Sequence, residues 1–142
     1  MPTVLEEIGF SGHEMVRATH PTTIEITTER SLTPRGDCIL GVGAEKALAQ
    51  LELRTRRALT SEGSKVRVTI LAPGGEFSVT AAGSSLLPLD SEEAVIIRRS
   101  GYVCGRTLAI RADAAARDVP RGLVRSLMSP GSRGTLRIEV TT

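Results

Sequence analysis

Two stretches of this chain repeat one another, and that repeat limits what it can fold into. Thr33-Pro34-Arg35-Gly36-Asp37-Cys38-Ile39-Leu40-Gly41-Val42-Gly43 is echoed by Val103-Cys104-Gly105-Arg106-Thr107-Leu108-Ala109-Ile110-Arg111-Ala112. Each is a polar, Gly-containing turn with an Arg, running into a short apolar strand and then an Ala-rich helical pattern. Sliding the sequence by 68 residues lays 36–71 on 104–139 without a gap. Leu40 then meets Leu108, Ala47 meets Ala115, Leu59 meets Leu127, Gly63 meets Gly131 and Ile70 meets Ile138. The pattern reads as an internal duplication.

A chain of 142 residues is expected to be one domain, built of halves too small to bury a core separately. The expected division is a lead-in over 1–13, a first half over 14–72 and a second over 76–140. No apolar run reaches the roughly 20 residues of a membrane span. The start, Met1-Pro2-Thr3-Val4-Leu5-Glu6-Glu7, lacks a basic segment and an apolar core, so no signal peptide and no membrane are expected. The expected location is cytoplasmic. A net charge of +2 is too small to argue for nucleic acid. Phe10, Phe77 and Tyr102 are the chain's aromatics, too few for a base-stacking surface. Cys38 and Cys104 fall in the two echoing turns, and only His13 and His20 could join them around zinc, so no metal and no cofactor are expected. A disulfide between them is an alternative to two small buried thiols.

In chain order, Gly9 and Ser11-Gly12 argue against a regular element in the lead-in. A short strand is expected over 14–19, a turn at His20-Pro21, and a half-buried strand over 22–28, with Ile24 and Ile26 inward and Thr23, Glu25 and Thr27 outward. A buried strand follows over 38–42. A helix is expected from Glu45 to about Thr60, with Leu48, Leu51 and Leu59 on its apolar stripe. A strand over 66–71 closes the first half. The second half repeats the order, with strands over 76–82, 94–98, 107–111 and 135–140. Its helix starts near Asp113, and Ala116, Val119, Leu123 and Leu127 face inward. Pro120 should kink or restart it, with Asp118 capping the new start. Eight strands and two helices give an α+β chain, mostly β. Duplicated β-β-β-α-β halves are expected to form a barrel with an approximate twofold axis, which also removes exposed strand edges.

Arg35-Gly36-Asp37-Cys38-Ile39 resembles the short Gly-Asp element of double-psi and related cradle-loop barrels. Three strings together resemble a whole family. They are 17–27 (Arg17-Ala18-Thr19-His20-Pro21-Thr22 and onward), 32–39 (Leu32-Thr33-Pro34-Arg35 and onward) and 103–113 (Val103-Cys104-Gly105-Arg106 and onward). They are similar to an archaeal family catalogued as domain of unknown function 371. The resemblance spans nearly the whole chain. It implies a thermophile-type cytosolic protein and brings no activity with it. The second half departs from the family, with Leu87-Pro88-Leu89-Asp90 where a second His-Pro-Thr turn can stand.

The polar residues hardest to explain by folding alone are His20, Thr22, Thr23, Glu25, Thr27, Arg35, Asp37, Arg106 and Thr107. His20 could act as a general acid or base, oriented by Glu25 or Asp37; it could equally be a turn histidine bonded to backbone. Thr22, Thr23, Arg35, Arg106 and Thr107 suit a phosphate or carboxylate, because guanidinium forks match those groups. Phosphate-loop, nucleophile-elbow and zinc-protease strings are absent from the sequence. Three classes of function stay open. One is a binder of, or enzyme acting on, a small anionic ligand gathered between Arg35 and Arg106. Another is a nucleic-acid- or ribosome-associated module using Arg54, Arg56, Arg57, Arg121 and Arg125. The third is a protein-interaction barrel without a ligand. The sequence leaves the oligomeric state open.

Overall fold

The computed structural model describes residues 2–33 and 35–142. Its first strand, β1 (Thr3–Ser11), lies in the stretch read as an irregular lead-in. The glycine signal was misleading because Gly9 sits in the strand at a close approach. Its N–H donates to the Glu45 carboxylate at 3.0 Å, and a Cβ there would lie 2.5 Å from that carboxylate oxygen. The segment 14–19 is loop rather than strand. Val16 N–H bonds back to the His13 carbonyl at 3.0 Å, and Ala18 is turned to φ 51°.

β2 (Thr23–Thr27) and β3 (Ile39–Gly41) follow, then β4 (Lys65–Ala72) and β5 (Gly75–Ala82), joined by a tight turn at Pro73-Gly74. β6 (Ala94–Arg98), β7 (Thr107–Ala109) and β8 (Arg133–Thr141) complete the strands. They form two four-stranded sheets. One runs β1-β8-β4-β5, antiparallel throughout. The other runs β3-β2-β6-β7, with β2 and β6 antiparallel at its centre and β3 and β7 parallel at its flanks. The ladders stop at the sheet edges, where two isolated bridges join the sheets. Ser11 exchanges both backbone hydrogen bonds with Val42, at 2.8 and 2.9 Å, and Ala82 does the same with Ile110.

The helix expected over 45–60 is broken. A 3-10 turn, Leu48–Gln50, is followed by extended Leu51 and Glu52 (ψ 147° and 148°), and only then by α1 (Leu53–Leu59). Neither Gly nor Pro causes this. Buried Glu6 of β1 accepts the Glu52 N–H at 3.1 Å and pairs with Lys46. A tertiary carboxylate thus takes the donor that a continuous helix would use. The same break recurs later in the chain: a 3-10 turn, Ala116–Asp118, then extended Val119 and Pro120, then α2 (Arg121–Leu127). Pro120, like Glu52, is extended (ψ 136° and 148°) and stands at the N-cap of its helix. Asp118 does not cap α2; its carboxylate accepts the Ala115 N–H at 2.8 Å and closes the preceding 3-10 turn. The described elements together make a mostly-β α+β arrangement with two short helices.

Leu48, Leu51, Leu59, Ala116, Val119, Leu123 and Leu127 are all buried, in one apolar cluster with Ile24, Ile26, Val95, Ile97 and the inner residues of β1, β4 and β8. Phe10, completely buried, lies between two glycines: a Cβ at Gly41 or Gly134 would come within 1.9 or 2.5 Å of its ring.

Candidate functional site

The central β2/β6 pair positions the site. Alternation sends Ile24, Ile26, Val95 and Ile97 into the core cluster and leaves Thr23, Glu25 and Thr27 of β2 with Ala94, Ile96 and Arg98 of β6 on the opposite face. Glu25 pairs with Ile96 and Thr23 with Arg98. The outward face expected to be wet is covered: Glu25 and Thr27 are buried. The turns entering β3 and β7 cover it, since Glu25 N–H donates to the Cys38 carbonyl at 2.9 Å and Ile96 N–H to the Arg106 carbonyl at 3.0 Å.

Side chains converge here. Arg106 reaches Glu25 with a 3.4 Å ion pair, and the Cys38 thiol lies 3.5 Å from the other Glu25 oxygen. Arg98 donates through Nε to the Thr107 hydroxyl at 2.8 Å and through Nη2 to Cys104 Sγ at 3.5 Å. Its guanidinium lies 4.9 Å from the Tyr102 ring centre. Thr107, completely buried, also accepts the Cys104 N–H at 3.3 Å. Both cysteines are free.

Burial raises the Glu25 pKa above the usual carboxylate range, and the charge of Arg106 only partly offsets this. Burial, then the charge of Glu25, pushes the Cys38 thiol up to about 11. Cys104 goes the other way. Burial pushes it up, but the Arg106 N–H, the Thr107 hydroxyl and Arg98 together outweigh that and lower its pKa.

Of the residues singled out in the sequence, Thr23, Glu25, Arg106 and Thr107 lie in this cluster. His20 stands beside it, and its ring works as a turn cap. Nδ1 accepts the N–H groups of Thr22 and Thr23 at 3.1 and 3.2 Å, which leaves the proton on Nε2. Ser91 does the same before β6, its hydroxyl accepting from Glu93 and Ala94. Ser91, a little beyond Leu87-Pro88-Leu89-Asp90, thus caps the turn before β6 as His20 caps the turn before β2. Thr27 Oγ1 accepts the Glu29 N–H at 3.2 Å. Asp37 serves through its carbonyl, which accepts from Thr19 and His20, and its charge helps raise Cys38. Arg35 is exposed and makes no ion pair among the described residues. The backbone bonds to β2 and β6 match Arg106 with Cys38, not with Arg35. Sequence reasoning missed Arg98 and Tyr102. The available signal was a charged residue ending an otherwise apolar strand, Ala94-Val95-Ile96-Ile97-Arg98.

Two helix arginines are committed inward. Arg121 Nη2 donates to the Ala18 carbonyl at 2.9 Å, and Arg56 Nη1 to the Leu89 carbonyl at 2.7 Å. Both carbonyls belong to non-glycine residues at positive φ, 51° and 52°. Among the described residues no group of three or more His, Cys, Asp or Glu could hold a metal ion, and no helix is long and apolar enough to cross a membrane.

Fold and cluster together define a mostly-β α+β protein whose two central strands carry a partly buried carboxylate–guanidinium–thiol cluster. A sequence model of the family described as Domain of unknown function (DUF371) matches residues 8–141. The chain belongs to that family. It is similar to the uncharacterized protein MJ0206 of Methanocaldococcus jannaschii, with 38% identity over 120 residues, covering 84% of this chain and 88% of the relative.

Proposed function

We propose that this is a cytosolic binder of a small phosphate- or carboxylate-bearing ligand, held at the β2/β6 face by Arg98 and Arg106. The observation that carries the reading is charge imbalance. Arg98 and Arg106 both act on one carboxylate, Glu25, and Arg98 makes no ion pair among the described residues. Burial moreover favours the neutral form of Glu25. An anion between the two guanidinium groups would supply the missing charge, with the Thr23 hydroxyl beside it. Arg106, half exposed, swings to the ligand, while Arg98, fixed by Thr107, stays in place. In an enzymatic version Glu25 would be the acid, because its proton is held above the usual range.

The same reading treats the eight strands as an internally duplicated, effectively closed barrel. Support comes from the two seams, Ser11 with Val42 and Ala82 with Ile110, which close at matching positions with the same reciprocal bonds. Further support comes from element order: β3, the 3-10 turn, α1 and β4 recur 68 residues later as β7, the 3-10 turn, α2 and β8. Gly63 and Gly131 sit in the turns between helix and strand at φ 78° and 80°.

Thermal unfolding with added phosphate, citrate or chloride tests the ligand reading. Phosphate or citrate should raise the midpoint of the parent and leave Arg98→Met unmoved. Equal shifts in parent and variant would place the anion elsewhere.

A further inference from the structure

A groove of about 440 Å³ runs between the loop before β2 and helix α2, within the roughly 300–1,000 Å³ span of small-ligand sites. Val16 and Val124, 1% and 4% exposed, give it an apolar floor, and Met128, 40% exposed, an apolar wall. Arg17, Arg121 and Arg125 line it too, and Glu14 is the one carboxylate among its lining residues. Arg121 is pinned: its nitrogens donate to the carbonyls of Arg17, Ala18, Ala116 and Val119. Carbonyl oxygens fix a guanidinium without neutralising it. Among the described residues no ion pair involves Arg17, Arg121 or Arg125.

A cationic rim over an apolar floor is complementary to one kind of occupant. We infer that this groove binds an amphipathic anion, a carboxylate or phosphate head on a short apolar tail. The head lies against Arg17, Arg121 and Arg125. The tail packs over Val16 and Val124 and covers Met128, whose exposed apolar surface it removes from water. An inorganic anion would leave Met128 wet, and a neutral amphiphile would leave the net positive charge of three arginines against one Glu14 unanswered. The groove shares no residue with the β2/β6 cluster, so the inference does not rest on the function proposed for that face.

Calorimetric titration with octanoate and octyl phosphate, below the concentrations at which they aggregate, tests it. Inorganic phosphate and octyl glucoside are the comparison probes. The parent should bind at least one of the two charged amphiphiles at least tenfold more tightly than either comparison probe, and the stronger one identifies the head group. Arg125→Ala and Met128→Asp, at exposed positions, should each weaken that binding tenfold or more. Arg17→Ala serves as a second probe of the rim, and Arg98→Met should bind as the parent does. Absence of amphiphile binding by the parent, undiminished binding by all three groove variants, or loss of binding in Arg98→Met would overturn the inference.

Discussion

Three residues at the cluster titrate in different senses, and each direction follows from its contacts. The folded chain holds the Glu25 proton more tightly than the unfolded chain. Its contribution to stability is therefore full below the ordinary value of 4.5 and is lost as pH rises through the raised value. Denaturant midpoints should show the parent losing stability relative to Glu25→Gln as pH rises above 4.5. A constant difference across that range would mean burial does not govern this carboxylate. Cys38, raised to about 11, and Cys104, lowered, should separate in alkylation. Iodoacetamide at neutral pH should label Cys104 first by peptide mass spectrometry; labelling of Cys38 first would reverse the assignment. None of this was legible in the sequence. A cysteine in a Gly-containing turn has the same local signature whether it faces Glu25 or Arg98.

At the scale of elements, strand existence was readable from period-2 alternation, and helix continuity was not. The stripe Leu48, Leu51, Leu59 is inward whether or not the helix is unbroken. At that break Glu6, 46 positions away in sequence, accepts the Glu52 N–H. Similarly, Gly9 looked like a breaker because the Glu45 carboxylate that occupies its edge is distant in sequence. Leu51→Ala, in this buried break, should destabilise by about 2–5 kcal/mol. Gly41→Ala forces Phe10 aside and should cost about 1–3 kcal/mol. Arg121→Ala removes the guanidinium that donates to the carbonyl of positive-φ Ala18 and should cost roughly 1.5–3 kcal/mol. Chemical denaturation measures all three, and an unchanged midpoint in any one would remove the contact invoked for it.

For the whole molecule, the repeat made the order of elements legible, but not which strands pair. The pairings join strands far apart in sequence: β1 pairs with β8, β8 with β4, and β2 with β6. Local sequence cannot specify such pairings, because the partners are set by shared burial in one core. The same limit explains the site. Arg106 was visible as a turn arginine, yet its neighbours Arg98 and Glu25 are brought to it only by the β2/β6 register. The most direct measurement is a phosphate-binding isotherm for the parent, Arg98→Ala, Arg106→Ala and Arg35→Ala, each checked for folding. Loss of affinity by tenfold or more, about 1.4 kcal/mol, is expected for the first two variants and parent-like affinity for Arg35→Ala. Equal affinity in all four proteins, or loss confined to Arg35→Ala, would contradict an anion site at the β2/β6 face.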